Sequence, residues 1–428
     1  MSPVSKKRKQ PPGRAPKSAA RPSIIGPILS VFAERLDDDG PLQTELVLAY
    51  LLGTGWGGAQ WGRTDAAEAL ASEIVDANPT GHPAGGLVLL ALARTGPRPL
   101  REKALQALEL GASSESTKWR MPDWAERIGT AELGRTAILT DVYGDQTSYY
   151  MEFSYPGTAN PEQHLVVALV DYNLHLIKDM FVRVGPHVFE LLEQIAKEDD
   201  AATFAPMDLQ SASDDLWAHL DVTDRTLGDP SGEESAETRY LLEARLDRLP
   251  HPNANTDFRP TVAQAERGRI LTAFMKTVAV KDLLSGTGSP DGPPERDSVR
   301  YIARLAIDYA SDYGAGDPLR WSPIAVELFL TDWAPRKVVW DAEDVLWVPE
   351  VLDLFVAYCG KRSGLELRWI EAIREAVDEY GGDFVAIELA GNSKGPGAQV
   401  MAALLADGVD LMDGEAVQQW IARYNDSL

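Results

Sequence analysis

The chain has one cysteine in 428 residues, Cys359. It can form no internal disulfide, and without clustered thiolates there is no cysteine-based zinc site, which fits a reducing compartment. Between Tyr358 and Gly360, at the end of an apolar run, it reads as a small buried apolar side chain. Long apolar runs are missing too. Stretches such as Leu87 to Ala93 fall far short of the roughly 20 residues a bilayer span requires. The N-terminus is basic without a hydrophobic segment, so a cytoplasmic protein is expected, neither exported nor bound to membrane.

Acid is missing from residues 1–21, which carry Lys6, Lys7, Arg8, Lys9, Arg14, Lys17 and Arg21. The formal charge of −24 over the whole chain then leaves −31 for the remainder. A body so acidic repels phosphates, so nucleic-acid contact is expected only through residues 1–21. That segment also holds Pro3, Pro11, Pro12 and Pro16 and almost no large apolar side chains, the composition of a disordered tail. The run Lys6 to Lys9 matches an import or nucleic-acid patch, but short basic runs are common and the plainer reading is a solvated tail.

What is present is enough apolar material, 44% of residues, for two or three cores at roughly 150 residues per domain. From Ser23 to Glu126 apolar residues recur at helical spacing, as in Ile25, Leu29, Phe32 and Leu36. Breaks fall at Asp37 to Gly40, at the glycine cluster 53–62, at Asn78-Pro79 and at Gly96-Pro97. From Gly129 the pattern changes to four strand-like segments: Thr136 to Tyr143, Thr147 to Tyr155, His164 to Val170 and Leu174 to Val184. In the second, Tyr149, Met151, Phe153 and Tyr155 share one face. The third is apolar on both faces and is expected to be a central strand. Helices are predicted at His187 to Ile195, Ala212 to Leu220, Glu237 to Leu249 and Val262 to Thr277. Ser285 to Pro294, with three Gly and three Pro, reads as a linker. Beyond it, Ser322-Pro323 is an N-cap with proline at the first helical position, and Pro335 is expected to close that helix. Trp321, Trp333, Trp340, Trp347, Trp369 and Trp420 gather there as core.

The expected fold is α+β, predominantly helical. Residues 1–21 form a disordered basic tail, and 22–128 an N-terminal helical array. Residues 129–284 form an α+β domain with a central four-stranded antiparallel meander. Residues 285–295 are a linker, and 296–428 a tryptophan-rich C-terminal helical domain.

Two blocks of sequence carry a resemblance. Pro122-Asp123-Trp124-Ala125-Glu126-Arg127-Ile128-Gly129, Asp141-Val142-Tyr143-Gly144-Asp145, His164-Leu165-Val166-Val167 and Asp171-Tyr172-Asn173 form one. Arg320-Trp321-Ser322-Pro323 and Asp332-Trp333-Ala334-Pro335-Arg336-Lys337 form the other. Together they resemble an uncharacterised family of actinobacterial cytoplasmic proteins with no assigned activity. The resemblance implies a shared architecture over most of residues 40–380 and no mechanism.

Motifs for known chemistry are thin. Gly53, Gly55 and Gly58 spell G-x-G-x-x-G with Asp76 about 20 residues on. However, Leu42 to Leu52 reads as a helix, whereas the dinucleotide fingerprint needs a strand there, so no cofactor is expected. Gly391-Asn392-Ser393-Lys394-Gly395 lacks the Gly-Lys-Ser/Thr order of a phosphate loop. No serine sits in a nucleophile elbow. Topology supplies one constellation: an antiparallel meander puts the turns at Gly144-Asp145 and at Asp171 to Asn173 at one end of the sheet. Asp141, Asp145, Asp171 and His175 would gather there and could hold a divalent metal that activates water. Asp and Asn are also the residues hairpin turns use for themselves. His164 falls at the opposite end.

The leading expectation is a non-catalytic interaction or scaffold protein with an unidentified protein partner. A metal-dependent hydrolase at the carboxylate edge comes second, and a nucleic-acid-associated protein acting through residues 1–21 third.

Overall fold

A computed structural model describes residues 24–37, 40–58, 63–157, 162–226, 233–253, 262–286, 292–390, 404, 407–409 and 414–425. The basic tail of residues 1–21, the loop 391–395 and the centre of the 285–295 linker lie outside these residues. The fold is predominantly helical, with N-terminal helices, a central antiparallel sheet flanked by helices and a C-terminal helical region.

Five helices come first: α1 (Ile25–Ala33), α2 (Pro41–Gly58), α3 (Arg63–Asp76), α4 (Gly85–Thr95) and α5 (Arg98–Ala112). α1 buries Ile25, Ile28, Leu29 and Phe32, one stripe at 3.6-residue spacing. The G-x-G-x-x-G run lies inside α2, so no strand precedes it. Its glycines serve packing: a Cβ on Gly53 would stand 2.0 Å from the Ala236 carbonyl oxygen, and one on Gly55 3.2 Å from the Ala66 backbone.

The sheet follows as β1 (Glu132–Asp141), β2 (Gln146–Ser154), β3 (His164–Asp171) and β4 (Leu176–Val184). α6 (Val188–Glu198) then leads to a fifth strand, β5 (Ala202–Ala205), which pairs with β1 and makes the order β4-β3-β2-β1-β5. The meander is therefore extended by a strand too short to carry an alternation signal. One face, with Tyr149, Met151, Phe153 and Tyr155, packs on α7 (Leu209–Arg225), α8 (Glu233–Leu246) and the N-terminal helices. Ala137, Tyr150, Leu165 and Val167 of the other face meet Phe189 of α6. The outer edge of β4 is capped by side chains: Ile177 N–H donates to Thr223 Oγ1 (2.8 Å) and Met180 N–H to Ser235 Oγ (3.0 Å). An edge strand so covered cannot template another strand.

A second core is built by α9 (Gln264–Phe274), α10 (Val278–Leu284), α11 (Arg296–Asp312), α12 (Pro323–Leu328), α13 (Ala334–Lys337), α14 (Ala342–Val345), α15 (Val348–Ser363) and α16 (Leu367–Leu389). The last helix is α17 (Gly414–Asn425). Ile270, Leu271, Phe274, Val280 and Leu283 belong to this core, so packing groups residues 264–284 with the helices after the linker. Trp321 and Trp333 are buried in it, and Cys359 is fully buried, which pushes its thiol pKa well up. Ser322 caps α12 as the sequence predicts, its side chain accepting from Ala325 N–H. Pro335 does not close the helix. The chain widens into a π turn over Phe329–Trp333, with Ala334 N–H bonded to the Phe329 carbonyl, and continues to Lys337. The wider turn accommodates a residue that has no N–H to give and whose ring would strike the preceding turn.

Candidate functional site

The register pairs Thr140 with Thr147, Gln146 with Asp171, and Asp171 with Leu176, so both turns do lie at one end of the sheet. Asp141, Asp145 and Asp171 are together there, but Asp141 and Asp171 each serve their own turn. Asp141 Oδ1 accepts the N–H groups of Tyr143 (2.8 Å) and Asp145 (3.2 Å), and its Oδ2 accepts that of Gln146 (2.5 Å). Asp171 Oδ1 accepts from the N–H groups of Asn173 and Leu174, both at 3.0 Å. Its Oδ2 accepts from Gln146 Nε2 at 2.9 Å and faces Lys178 Nζ at 3.5 Å. His175 sits in the left-handed region (φ 56°) where the chain re-enters β4. Among the described residues, no group of three or more His, Cys, Asp or Glu is placed to hold a metal ion. The meander brings the carboxylates to one edge, and turn capping then directs their oxygens to backbone N–H groups.

Asp145 differs from its neighbours. It is buried, at 8% exposure, and its side chain hydrogen-bonds Ser322 and Asn173. Burial, followed by the Asp141 charge, raises its pKa, against the Ser322 and Asn173 hydrogen bonds and the Arg320 charge.

The C-terminal helices seat on this end of the sheet. Arg320 Nε donates to the Tyr143 carbonyl (3.0 Å), and its guanidinium carbon lies 5.2 Å from the centre of the Tyr172 ring. Gly144, at φ 71°, leaves only 3.0 Å between a notional Cβ and that guanidinium. Tyr143 reaches Trp369, edge-on at 6.1 Å, and its hydroxyl donates to the Trp369 carbonyl at 3.3 Å. Between the two parts is a cavity of about 350 Å³ whose lining includes Thr140, Asp141, Tyr143, Arg320, Trp321 and Ser363.

Beside it is a cluster that sequence reasoning missed. Asp215 of α7 accepts from the hydroxyls of Tyr149 (2.5 Å) and Tyr172 (2.8 Å), and its Oδ1 lies 3.2 Å from His219 Nδ1. Burial pushes the Tyr172 hydroxyl up to about 12 and that of Tyr149 further. Burial also raises the Asp215 carboxyl, but the His219 hydrogen bond and charge and the two tyrosines outweigh it and hold the pKa below its ordinary value. All three shifts lead away from neutrality. The cluster ties α7 to the sheet.

At the opposite end of the sheet, His164 joins a fully buried ion pair. Arg245 donates to Glu45 Oε2 (2.6 Å), to the Tyr155 hydroxyl (3.0 Å) and to His164 Nε2 (3.0 Å). Glu45 Oε1 accepts the Gly129 N–H at 2.7 Å. The network links α2, β3 and α8 with Tyr155 just past the end of β2, and its Arg245 and Glu45 charges are paired with each other.

A larger open pocket of about 450 Å³ lies between α1, α2, α8 and β4. Val31, Leu46, Val47, Tyr50, Leu51 and Val182 supply apolar walls, and Arg35, Glu234, Glu237 and Thr238 supply polar groups. Tyr50 is 50% exposed. The signal for it was the unbroken apolar run Leu46 to Leu52 in α2, which gives that helix more apolar circumference than one core face uses.

No family model, curated protein or solved structure matches the chain.

Proposed function

We propose that this chain is a non-catalytic protein-interaction protein and that the groove between α1, α2, α8 and β4 is where a partner docks. The observation that supports this is the groove itself. Its volume of about 450 Å³ and apolar walls edged by a few charged and polar groups fit the seating of an apolar side chain or short helix. The acidic end of the sheet supports chemistry less well, since the oxygens of Asp141 and Asp171 are engaged by hydrogen bonds of the turns. No helix among the described residues is long and apolar enough to cross a membrane. A single buried thiol suits work in a reducing cytoplasm. The resemblance to an actinobacterial cytoplasmic family fits the same reading.

The test compares Tyr50→Glu and Val47→Glu with the unmodified protein in capture from native lysate, with unfolding curves recorded alongside. The proposal expects a defined partner lost from both variants while the melting temperature is retained. An unchanged set of captured chains would overturn it.

A further inference from the structure

We propose that the groove between α1, α2, α8 and β4 is covered by the chain's own proline-rich basic segment, residues 11–22, which a partner has to displace. This rests on the reading of that groove as a docking surface and names its first occupant.

The groove combines the features that hold a proline-rich strand. Its walls are apolar, with Val31 from α1, Val47 and Leu51 from α2 and Val182 from β4. Tyr50 presents an aromatic ring that is half exposed. Glu234 and Glu237 flank it on one face of α8, at the i, i+3 spacing that makes helical neighbours. Proline rings pack on aromatic faces in an extended conformation that costs little entropy to fix, and basic residues between them meet the acids. Residues 11–22 read PPGRAPKSAARP, with four prolines, Arg14, Lys17, Arg21 and no acid. Their apolar groups are proline rings and alanine methyls, which suit an open groove of about 450 Å³ better than a closed core.

Charge and tethering favour the same occupant. Glu237 forms no ion pair among the described residues, and Glu234 pairs with Arg183 at 2.8 Å where both side chains are half exposed, so that pair exchanges readily. Arg35 is the cation among the lining residues, against these two carboxylates. Residues 1–21 carry +7 against −31 on the remainder, a field that draws the segment in. The segment joins the described chain at Ile24, just before α1, the helix that gives the groove Val31 and Arg35. Val31 is about 9 Å along the helix from Ile25, and an extended proline-rich strand covers about 3 Å per residue, so residues 11–22 folded back along α1 reach it. The tether holds the segment at an effective concentration of about 1 mM, enough for a contact too weak to retain a free peptide.

A neutral nitroxide added to solution broadens methyl resonances in proportion to their exposure, and it is applied to the isotope-labelled full-length protein. A segment tethered at about 1 mM to a site of about 0.3 mM affinity covers it for roughly three quarters of the time. The methyl resonances of Val31, Val47, Leu51 and Val182 should therefore broaden about fourfold more in Arg14→Glu/Lys17→Glu/Arg21→Glu than in the unmodified protein. They should do the same in the unmodified protein at about 1 M NaCl, where the screening length falls to about 3 Å. The exposed methyls of Val278 and Leu367 should respond equally throughout. Equal broadening of the groove methyls in the two proteins, with no effect of salt, would overturn the proposal. Protection that persists in the charge-reversed variant and falls on dilution would assign the groove to a second copy of the chain and overturn it as well. A groove that stands open while Tyr50→Glu still loses its captured partner defeats the tail alone. A covered groove with unchanged capture defeats the partner and leaves the tail docked.

Discussion

Acid should weaken this fold through His164. Its Nε2 accepts a hydrogen bond from Arg245, so the ring must be neutral with its proton on Nδ1, which faces the Glu162 carbonyl at 3.4 Å. A second proton would remove that acceptor and set an imidazolium against a buried guanidinium. Burial, and then the Arg245 charge, lower the His164 pKa from 6.5 to about 3. The unfolded chain therefore takes up a proton below pH 6.5 that the folded chain refuses. Stability from this group is complete above about pH 6.5 and is lost progressively as pH falls toward 3.

Linkage over that window gives a loss of about 2 kcal/mol between pH 7.5 and pH 5. His164→Gln keeps an acceptor for Arg245 and has nothing to titrate. Urea unfolding of both proteins at pH 7.5 and pH 5 isolates the term, because the other groups contribute to both. The variant should lose about 2 kcal/mol less than the unmodified protein across the window. An equal loss in both would refute the reasoning, since it would mean that His164 accepts the proton as readily in the folded protein as in the unfolded chain.

Further outcomes follow from the packing and from the turns. Gly53→Ala should destabilise by about 1–3 kcal/mol, because its methyl meets the Ala236 carbonyl of α8. Gly268→Ala in α9, with nothing within 4 Å, should stabilise by about 0.5–1 kcal/mol; calorimetry reads both, and shifts of the same sign would contradict the local geometry. Asp171→Ala should lower stability by about 1–3 kcal/mol, through the N–H groups of Asn173 and Leu174 that it leaves unpaired. Added Mg²⁺ or Zn²⁺ should leave the melting temperature of the unmodified protein unchanged, and a metal-dependent rise abolished by Asp171→Ala would revive the metal edge. A fragment of residues 262–428 should fold by circular dichroism and unfold cooperatively. One of residues 296–428 should not, because it lacks Ile270, Phe274, Val280 and Leu283 of the second core.

The sequence made legible those features whose cause is local. Tyr149, Met151, Phe153 and Tyr155 alternate because one side of β2 is core, and β3 is apolar on both faces because strands and helices cover it. The fifth strand was not legible: Ala202 to Ala205 is four residues between two aspartates and Pro206, and it is fixed by pairing with β1 more than by its own pattern. The linker composition marked a loop, yet composition says nothing about which core the flanking helices join, and α9 and α10 join the later one. The polar clusters lay beyond reach for the same reason, since Glu45 and Arg245 meet across 200 positions and Tyr149 and Asp215 across 66.

The carboxylate edge shows where inference from topology stops. Pairing in a meander fixes which turns share an end, and Asp141, Asp145 and Asp171 do share one. It does not fix the side-chain torsions, which follow the nearest unpaired donors. For Asp141 and Asp171 those are backbone N–H groups two to five residues ahead, present in every such turn. Asp145 escapes that pull only because the C-terminal helices supply Ser322 from elsewhere in the chain. A carboxylate freed from its own turn by a distant partner was invisible in the sequence, because the sheet's pairing says nothing of which later segment comes to lie on its end.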